Sequence, residues 1–380
     1  MTTSEPPELP EPEVEYRRPA WVEPPPDMVP GVAPVELILA RTPQRAIGLT
    51  GVRAYPTGFV CTLHMRLREV VPGEQSTFGA FDMFGDGVDP AGEFADYFLR
   101  VGVGFADGRK ATNLDHRRDL DEGPPPDPPT LWLVRWEGYD RLAWEVDVWV
   151  WGLPPPGPLA FVVEWPARGI PETRVEIEAG AGPGGRRPGG AHLARGRFTL
   201  SFFEPPAWRP PREHRVSAWA RGPEDMVPGV VPVALLVART ATHAVLIDNL
   251  LVYPTGFDFD LAVRRRPGHP RQHQHRDRFW EEELRLEVRF ADGRRADNDP
   301  HRWPRPAGDR LPDPPLLYQS VSGPDGGHVW LWGLPPPGPL TFACHWPTEQ
   351  IPPSEAVLDA GLVLDAAQRA TSPWPEEGPP

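Results

Sequence analysis

The sequence predicts an all-β protein made of two tandem antiparallel β-sandwich domains with little helix. Three features predict this fold: a long internal repeat, apolar residues that alternate with polar ones, and turn signals between the alternating runs. Residues 27–59 return without a gap at 225–257, and residues 151–159 return letter for letter at 332–340. A repeat of this length indicates an internal duplication, and we call the two repeats copy A and copy B.

The composition sets domain boundaries along the 380 residues. Copy A and copy B are joined by a linker rich in glycine, proline and arginine, which encloses a strand-like run at 197–203. The predicted domains are a disordered Pro/Glu-rich tail at 1–19, copy A at 20–180, the linker at 181–217, copy B at 218–361, and a short helix with a disordered tail at 362–380.

Period-two alternation predicts the strands. Phe257, Phe259 and Leu261 alternate with Asp258 and Asp260, which is typical of a sheet with one buried face and one solvated face. Residues 284–290 and their copy A counterparts 99–105 keep the same apolar set. Helical periodicity is confined to residues 361–370.

Turn signals separate the strands. The Asp107-Gly108 and Asp292-Gly293 pairs predict tight hairpins, because glycine adopts positive φ at little cost. The WGLPPPGPL segment is predicted to form a rigid corner between two strands rather than a polyproline ligand. With 55 prolines in all, edges and connections are stiff and resist edge-to-edge aggregation.

Charge and hydropathy narrow the classes of partner. A net charge of −14 without a basic stripe argues against nucleic-acid binding. The sequence lacks the run of about 18 apolar residues that a membrane span needs, and its first residues lack the pattern of a signal peptide. Two cysteines argue against a disulfide framework. We therefore expect a cytoplasmic protein.

Several residues are expected to be structural. Cys61 and Cys344 are in phase with apolar neighbours and should be buried thiols. His64 and His345 are out of phase with their apolar neighbours and should be surface residues. The tryptophans repeated in both copies should fill cores, and they are Trp149, Trp151, Trp165, Trp330, Trp332 and Trp346. The candidates for an exposed aromatic patch are Trp132, Trp136 and Trp144.

Two loops that differ between the copies contain potential metal ligands. His269, His273 and His275 could hold zinc or copper, and acidic residues between Asp82 and Asp96 could hold calcium. A solvated loop is the favoured interpretation of both. The histidine loop is rich in arginine and proline, has no cysteine, and has no orienting carboxylate nearer than Asp277, and the acidic loop lacks the EF-hand spacing. No nucleophile elbow or phosphate-binding loop occurs either, so we assign no catalytic, cofactor or metal residue.

The repeat itself separates scaffold from function. Residues that are identical in both copies are expected to have a structural role, because the fold is the first property that both copies share. This set comprises Arg41, Thr42, residues 55–59, Asp107, Gly108, Arg109 and Asn113 with their counterparts Arg239, Tyr253, Arg294 and Asn298. A single site should instead use residues that differ between the copies, as in loops 72–97 and 268–278, or residues where the copies meet.

Motifs in both copies carry a family resemblance. The run from Tyr253 to Arg264, the FADGR segments and the LPPPGPL segment continuing to Glu172 resemble a family of actinomycete proteins. The resemblance spans most of the chain and implies no activity, cofactor or catalytic residue. Copy B departs from the motif at His345, where copy A has Glu164, and at Pro353, where copy A has Glu172.

Three functions remain open. The favoured hypothesis is a non-enzymatic cytoplasmic module that binds a protein or a small ligand, because two complete scaffolds are present without a catalytic constellation. The alternatives are a metal-dependent hydrolase that uses a divergent loop and an arrestin-like adaptor with a cleft between two sandwiches.

Overall fold

The computed structural model describes residues 19–68, 99–115, 125–138, 142–180, 219–266, 284–299, 313–323 and 326–374. Residues 1–18 of the predicted N-terminal tail, the linker with its strand-like run, and both divergent loops lie outside these ranges.

Within the described residues, copy A has nine strands. They are β1 (Gly31–Arg41), β2 (Arg45–Tyr55), β3 (Gly58–Leu67), β4 (Arg100–Gly104), β5 (Lys110–Thr112), β6 (Thr130–Gly138), β7 (Ala143–Trp151), β8 (Gly157–Trp165) and β9 (Ile170–Ala179). Short 3-10 helices at Asn113–Asp115 and Pro166–Arg168 connect them.

Copy B repeats this series, with the first strand divided in two, and ends in a helix. Its strands are β10 (Gly229–Val231), β11 (Leu235–Arg239), β12 (His243–Tyr253), β13 (Gly256–Arg265), β14 (Arg285–Arg289), β15 (Arg295–Asp297), β16 (Leu316–Gly323), β17 (Gly326–Trp332), β18 (Pro339–Trp346) and β19 (Ile351–Asp359). Helix α1 (Ala360–Arg369) follows.

The two copies have the same sheet topology. Copy A forms a five-stranded sheet in the order β1-β2-β3-β7-β6 and a four-stranded sheet in the order β5-β4-β8-β9. Copy B forms the matching sheets β10-β12-β13-β17-β16, with β11 also paired to β12, and β15-β14-β18-β19. All of these strand pairs are antiparallel. The all-β, antiparallel prediction is therefore confirmed.

Each copy closes an apolar core between its two sheets. In copy A, Phe59 and Leu63 of the large sheet and Phe161 of the small sheet belong to one buried cluster. In copy B, Phe257 and Phe342 play the corresponding parts, with ring centroids 6.5 Å apart. The predicted alternation thus correctly identifies which side chains face inward.

The predicted turns are present. Gly108 and Gly293 have φ of 87° and 86°, and each follows an aspartate at a hairpin tip. Arg109 and Arg294 close these hairpins in the same way. Each donates a hydrogen bond from its Nε to the aspartate two residues earlier, and its guanidinium lies over the ring of Phe105 or Phe290. The WGLPPPGPL segments connect β7 to β8 and β17 to β18, as expected of a corner.

Helix α1 confirms the helix predicted at 361–370. It begins after Asp359, whose carboxylate accepts a hydrogen bond from the backbone of Gly361 at 2.9 Å and caps the helix. Val363 and Ala366 on its buried face pack against the core of copy B. Among the described residues, no helix has the length and apolar character needed to cross a membrane.

The C-terminal segment after β19 connects copy B to copy A. Arg369 of α1 donates to Glu36 of β1 at 3.0 Å, and the Arg68 guanidinium lies over the Trp374 ring. Beyond the helix, Thr371 pairs with Val227 of copy B through two backbone hydrogen bonds. This segment therefore contacts both copies.

A glycine pair tests the packing of this segment. Gly229 lies under α1, where an added Cβ would approach the Ala366 carbonyl oxygen to 2.0 Å, whereas a Cβ on its counterpart Gly31 would meet no described atom within 4 Å. We expect Gly229→Ala to lower the free energy of unfolding by about 1–3 kcal/mol through overpacking. We expect Gly31→Ala to change it by less than about 0.5 kcal/mol. Urea unfolding of both variants measures this, and equal effects would contradict the packing described.

Candidate functional site

A buried polar layer lies where the two copies meet. The outer faces of the two large sheets, opposite their cores, face one another across this contact. Polar residues on both sides are at most 7% exposed. They are Thr50, Arg53, Thr62, His64, Arg66, Glu145 and Asp147 from copy A and Asp248, Asn249, Asp258, Asp260 and His328 from copy B. We call this set the ionic layer.

The ionic layer corrects the prediction of a solvated sheet face. Asp258 and Asp260 alternate with core residues as expected, but they are only 4% and 5% exposed. Alternation shows which side of a sheet a residue occupies. It does not show that a second sheet covers that side.

Arg53 is the central charge of the layer. Its Nη2 lies 2.8 Å from Asp147 Oδ2 within copy A, and its Nη1 lies 3.2 Å from Asp260 Oδ2 in copy B. Thr62 donates to Asp147 at 2.6 Å, and Asn249 donates to Asp260 at 3.2 Å. One guanidinium thus joins carboxylates from both copies, in the geometry that a buried pair needs to offset its desolvation.

His64 belongs to a second group in the layer, so its prediction as a surface residue is wrong. The ring is fully buried, with Nε2 2.5 Å from Thr50 Oγ1 and Nδ1 2.9 Å from Glu145 Oε1. Arg66 also donates to Glu145, at 2.8 Å. Burial alone would raise the pKa of Glu145, but His64 and Arg66 together lower it well below its ordinary value.

The Thr50 hydroxyl, the His64 imidazole and the Glu145 carboxylate are hydrogen-bonded in the order found in a catalytic triad. A nucleophile also needs room for a substrate, and both Thr50 and His64 are 0% exposed. The group is therefore sealed between the sheets, and its hydrogen bonds serve to satisfy buried polar atoms at the contact.

A third group centres on His328. Its Nδ1 lies 3.3 Å from Asp260 and its Nε2 lies 3.6 Å from Asp258. Burial raises the pKa of Asp258 to about 7, despite the opposing effect of His328. Ionisation of Asp258 near neutral pH therefore costs folding free energy.

Aligned positions of the two copies touch one another in this contact. Gly51 of copy A aligns with Asn249 of copy B, and a Cβ on Gly51 would lie 2.7 Å from the Asn249 side-chain oxygen. Both residues have positive φ, at 63° and 51°. Contact between aligned positions is the mark of a two-fold related interface.

The layer is nevertheless asymmetric in chemistry. Arg53 of copy A aligns with Leu251 of copy B, and Thr62 aligns with Asp260. Likewise Asp147 aligns with His328. The contact thus meets both criteria set by the repeat, since its residues differ between the copies and lie where the copies meet.

The cysteine prediction is confirmed. Cys61 is 1% exposed and Cys344 is 3% exposed, and both are free thiols. Burial raises the pKa of Cys61 to about 12 and that of Cys344 to about 11. Neither thiol is activated as a nucleophile.

The predicted aromatic patch is not present as proposed. Trp144 is buried in the core of copy A, Trp132 is half-buried, and the side chain of Trp136 lies outside the described residues. Trp149 and Trp330 are buried as predicted, but on the outer faces of the large sheets, each with its ring centroid 5.8 Å from that of Tyr55 or Tyr253. Trp165 and Trp346 are buried in the two cores.

Residues kept in both copies make matching scaffold contacts. The Asn113 side chain accepts from Val101 and donates to Leu99, and Asn298 does the same with Leu286 and Leu284. These asparagines therefore hold the loops that follow β5 and β15 to the neighbouring strand.

An open groove of about 690 Å³ lies on the outer face of the four-stranded sheet of copy B. Arg285, Glu287, Arg289, His345, Ser354 and Glu355 contribute to its walls. Arg289 binds both Glu287, at 3.0 Å, and Glu355, at 2.6 Å. His345 is half-buried in the groove, so its predicted surface position is only partly correct.

The same place in copy A has different chemistry. Glu287 and Arg289 align with Gly102 and Gly104. Arg174 extends over Gly104, with Nη1 3.5 Å from the position that a Cβ would take there. The groove is therefore a feature in which copy B departs from copy A.

The two loops with potential metal ligands lie outside the described residues. They are the loop with His269, His273 and His275 and the acidic loop from Asp82 to Asp96. Within the described ranges, no group of three or more His, Cys, Asp or Glu side chains is arranged to hold a metal ion.

Comparison with known proteins does not assign the chain to a family. No family model matches it, and no curated protein matches it. The crystal structure of a conserved domain protein from Bacillus anthracis aligns with 86% of this chain and 91% of its own, at 8% sequence identity and a TM-score of 0.22. A similarity this low carries no argument about fold or function.

Arg53 provides the first test of the ionic layer. We expect Arg53→Leu, which introduces the residue that copy B has at this position, to lower the free energy of unfolding by about 3–5 kcal/mol, because two buried aspartates lose their guanidinium. Arg174→Leu is the control, since its pair with Glu176 is half-exposed and should contribute about 1 kcal/mol or less. Urea unfolding measures both, and similar losses would contradict the central role of Arg53.

Asp258 provides a second test, through pH. An acid whose folded pKa is raised stabilises the fold below its unfolded pKa, near 3.9, and loses that contribution as pH rises towards about 7. We therefore expect Asp258→Asn to gain stability relative to the parent between pH 5 and pH 8, measured as Tm. Asp292→Asn is the control, because a lowered pKa keeps this exposed carboxylate ionised over the whole range. A pH-independent difference for Asp258→Asn would refute the assignment.

Proposed function

We propose that the protein is a non-enzymatic, cytoplasmic binding protein that holds a small ligand in the groove of copy B. The observation that carries this proposal is the groove itself, an open concavity with charged side chains in its walls that occurs where the sequence of copy B differs from that of copy A. Its volume of about 690 Å³ is in the range typical of small-molecule sites.

The construction of the groove supports a rigid binding surface. Its floor is the sheet β15-β14-β18-β19, and Ala343 of β18 pairs with both Glu287 and Glu355 across the neighbouring strands. Ala343 is small and partly exposed, so it leaves space at the centre of the floor. Arg289 holds the flanking glutamates in place. Sites built on strands hold their side chains more precisely than sites built on loops.

The non-enzymatic part of the proposal is supported by the burial of the reactive groups. Thr50, which has an imidazole and a carboxylate in series behind it, is 0% exposed, and both thiols have a raised pKa. A metal-dependent hydrolase on the divergent loops remains the alternative, and stoichiometric zinc, calcium or manganese in the purified protein would favour it.

An arrestin-like adaptor is a second candidate, favoured by the side-by-side packing of the copies. Its expected cleft is the place where the ionic layer lies, and that place is filled by Arg53, His64 and their carboxylate partners. A protein partner that binds the parent and Arg53→Leu differently in a pulldown would favour the adaptor.

A matched pair of variants tests the groove. Ala343 of copy B aligns with Val162 of copy A, and each is at the centre of its four-stranded sheet. In a thermal-shift screen of small metabolites, we expect at least one compound to stabilise the parent and Val162→Trp but not Ala343→Trp, because the indole fills the groove floor. If every stabilising compound acts on Ala343→Trp as on the parent, the groove is not the binding site.

A further inference from the structure

One end of the groove carries an arginine that has no carboxylate partner among the described residues. Arg285 of β14 is directly opposite His345 of β18. In copy A the aligned strands place Arg100 opposite Glu164 in the same register, and these two form an ion pair at 2.8 Å. The change from glutamate to histidine therefore removes the carboxylate that closes this end in copy A.

Four acidic residues line the groove, namely Glu287, Asp297, Asp299 and Glu355. Asp297 accepts a hydrogen bond from the backbone N–H of Asp299 at 3.2 Å. Glu287 binds Arg289 and Arg295, at 3.0 Å and 3.5 Å, and Glu355 binds Arg289 at 2.6 Å. Within the described part of the chain, neither Arg285 nor His345 has an ion pair or hydrogen bond from its side chain. Arg285 is exposed and lines the groove, so its guanidinium is available to a ligand.

We propose that the groove takes a small organic anion, whose carboxylate or phosphate group binds between Arg285 and His345. This inference rests on the proposed function, since it names the ligand class of the same groove. The planar guanidinium offers two parallel N–H donors that match both anionic groups, and the imidazole offers another N–H donor beside it. The anion would take the place that the Glu164 carboxylate has in copy A.

Variants that change the charge at this end of the groove test the proposal in the full-length chain. Citrate and inorganic phosphate are the probes, titrated by calorimetry. We expect His345→Glu, which recreates the closed pair of copy A, to weaken binding of the preferred probe at least about tenfold, because it loses charge-assisted hydrogen bonds and repels the anion. Arg285→Gln should weaken it by a similar factor.

Arg100→Gln is the matched control for Arg285→Gln, because Arg100 is the aligned arginine of copy A and is already paired with Glu164. It should leave the affinity within about twofold of the parent, a small difference on the logarithmic scale of binding free energy. The comparison of citrate with phosphate shows whether the site prefers a carboxylate or a phosphate group.

The outcomes separate this inference from the proposed function. A screened ligand that is lost in Ala343→Trp but kept in His345→Glu and Arg285→Gln would overturn the anion assignment and leave the groove as the binding site. Absence of saturable binding by both probes would also overturn the anion assignment. If no compound is sensitive to Ala343→Trp, the proposed function itself fails. Binding of a probe that none of these variants changes would show an adventitious ion on another surface and refute the inference.

Discussion

The bridge from Arg53 to Asp147 and Asp260 is the interaction on which the arrangement of the two copies depends. It lies on sheet faces that carry charged side chains and would be hydrated in an isolated sandwich. Removing these charges from water is costly, and the cost is offset only where opposite charges and hydrogen-bond donors meet in good geometry. Arg53, Arg66 and the two histidines satisfy this condition from within the chain. The cores stabilise each sandwich, whereas the ionic layer specifies how the sandwiches are placed.

This placement also determines which sheet faces are open to solvent. The large sheets use their outer faces to contact each other, so the residues with the richest acid–base chemistry are closed to solvent. The small sheet of copy B keeps an open outer face, and there its side chains differ from those of copy A. The buried polar residues of the ionic layer and the exposed polar residues of the groove therefore lie on different sheets. The most densely connected polar groups hold the structure, and the exposed Arg285 beside His345 belongs to the groove that we propose as the ligand site.

Much of the fold could be predicted from the sequence, because its causes are local. Alternation identified the inward residues of β13, glycine with positive φ marked the hairpins, and amphipathic spacing marked α1. The burial of Asp258 and His64 could not be predicted in the same way, since it depends on a second sheet that is distant in sequence. The sequence did hold a signal, because Arg53 and Leu251 occupy aligned strand positions and differ in charge. For the groove, the exchange of Glu164 for His345 was visible, but its meaning depended on seeing Arg100 and Arg285 opposite these residues.

The contact between Gly51 and Asn249 has a consequence for whether the copies pair within one chain or between separate chains. An interface in which aligned positions meet could in principle form between two copy A units or two copy B units from separate chains. Two copy B units would set each Asp260 against Leu251, leaving acidic groups dehydrated and without an arginine. Two copy A units would set each Arg53 against Thr62, which carries no charge to attract it. Only the pairing of copy A with copy B is complementary. Because both copies are in one chain, each copy A has a complementary copy B at high effective concentration, which disfavours pairing between separate chains.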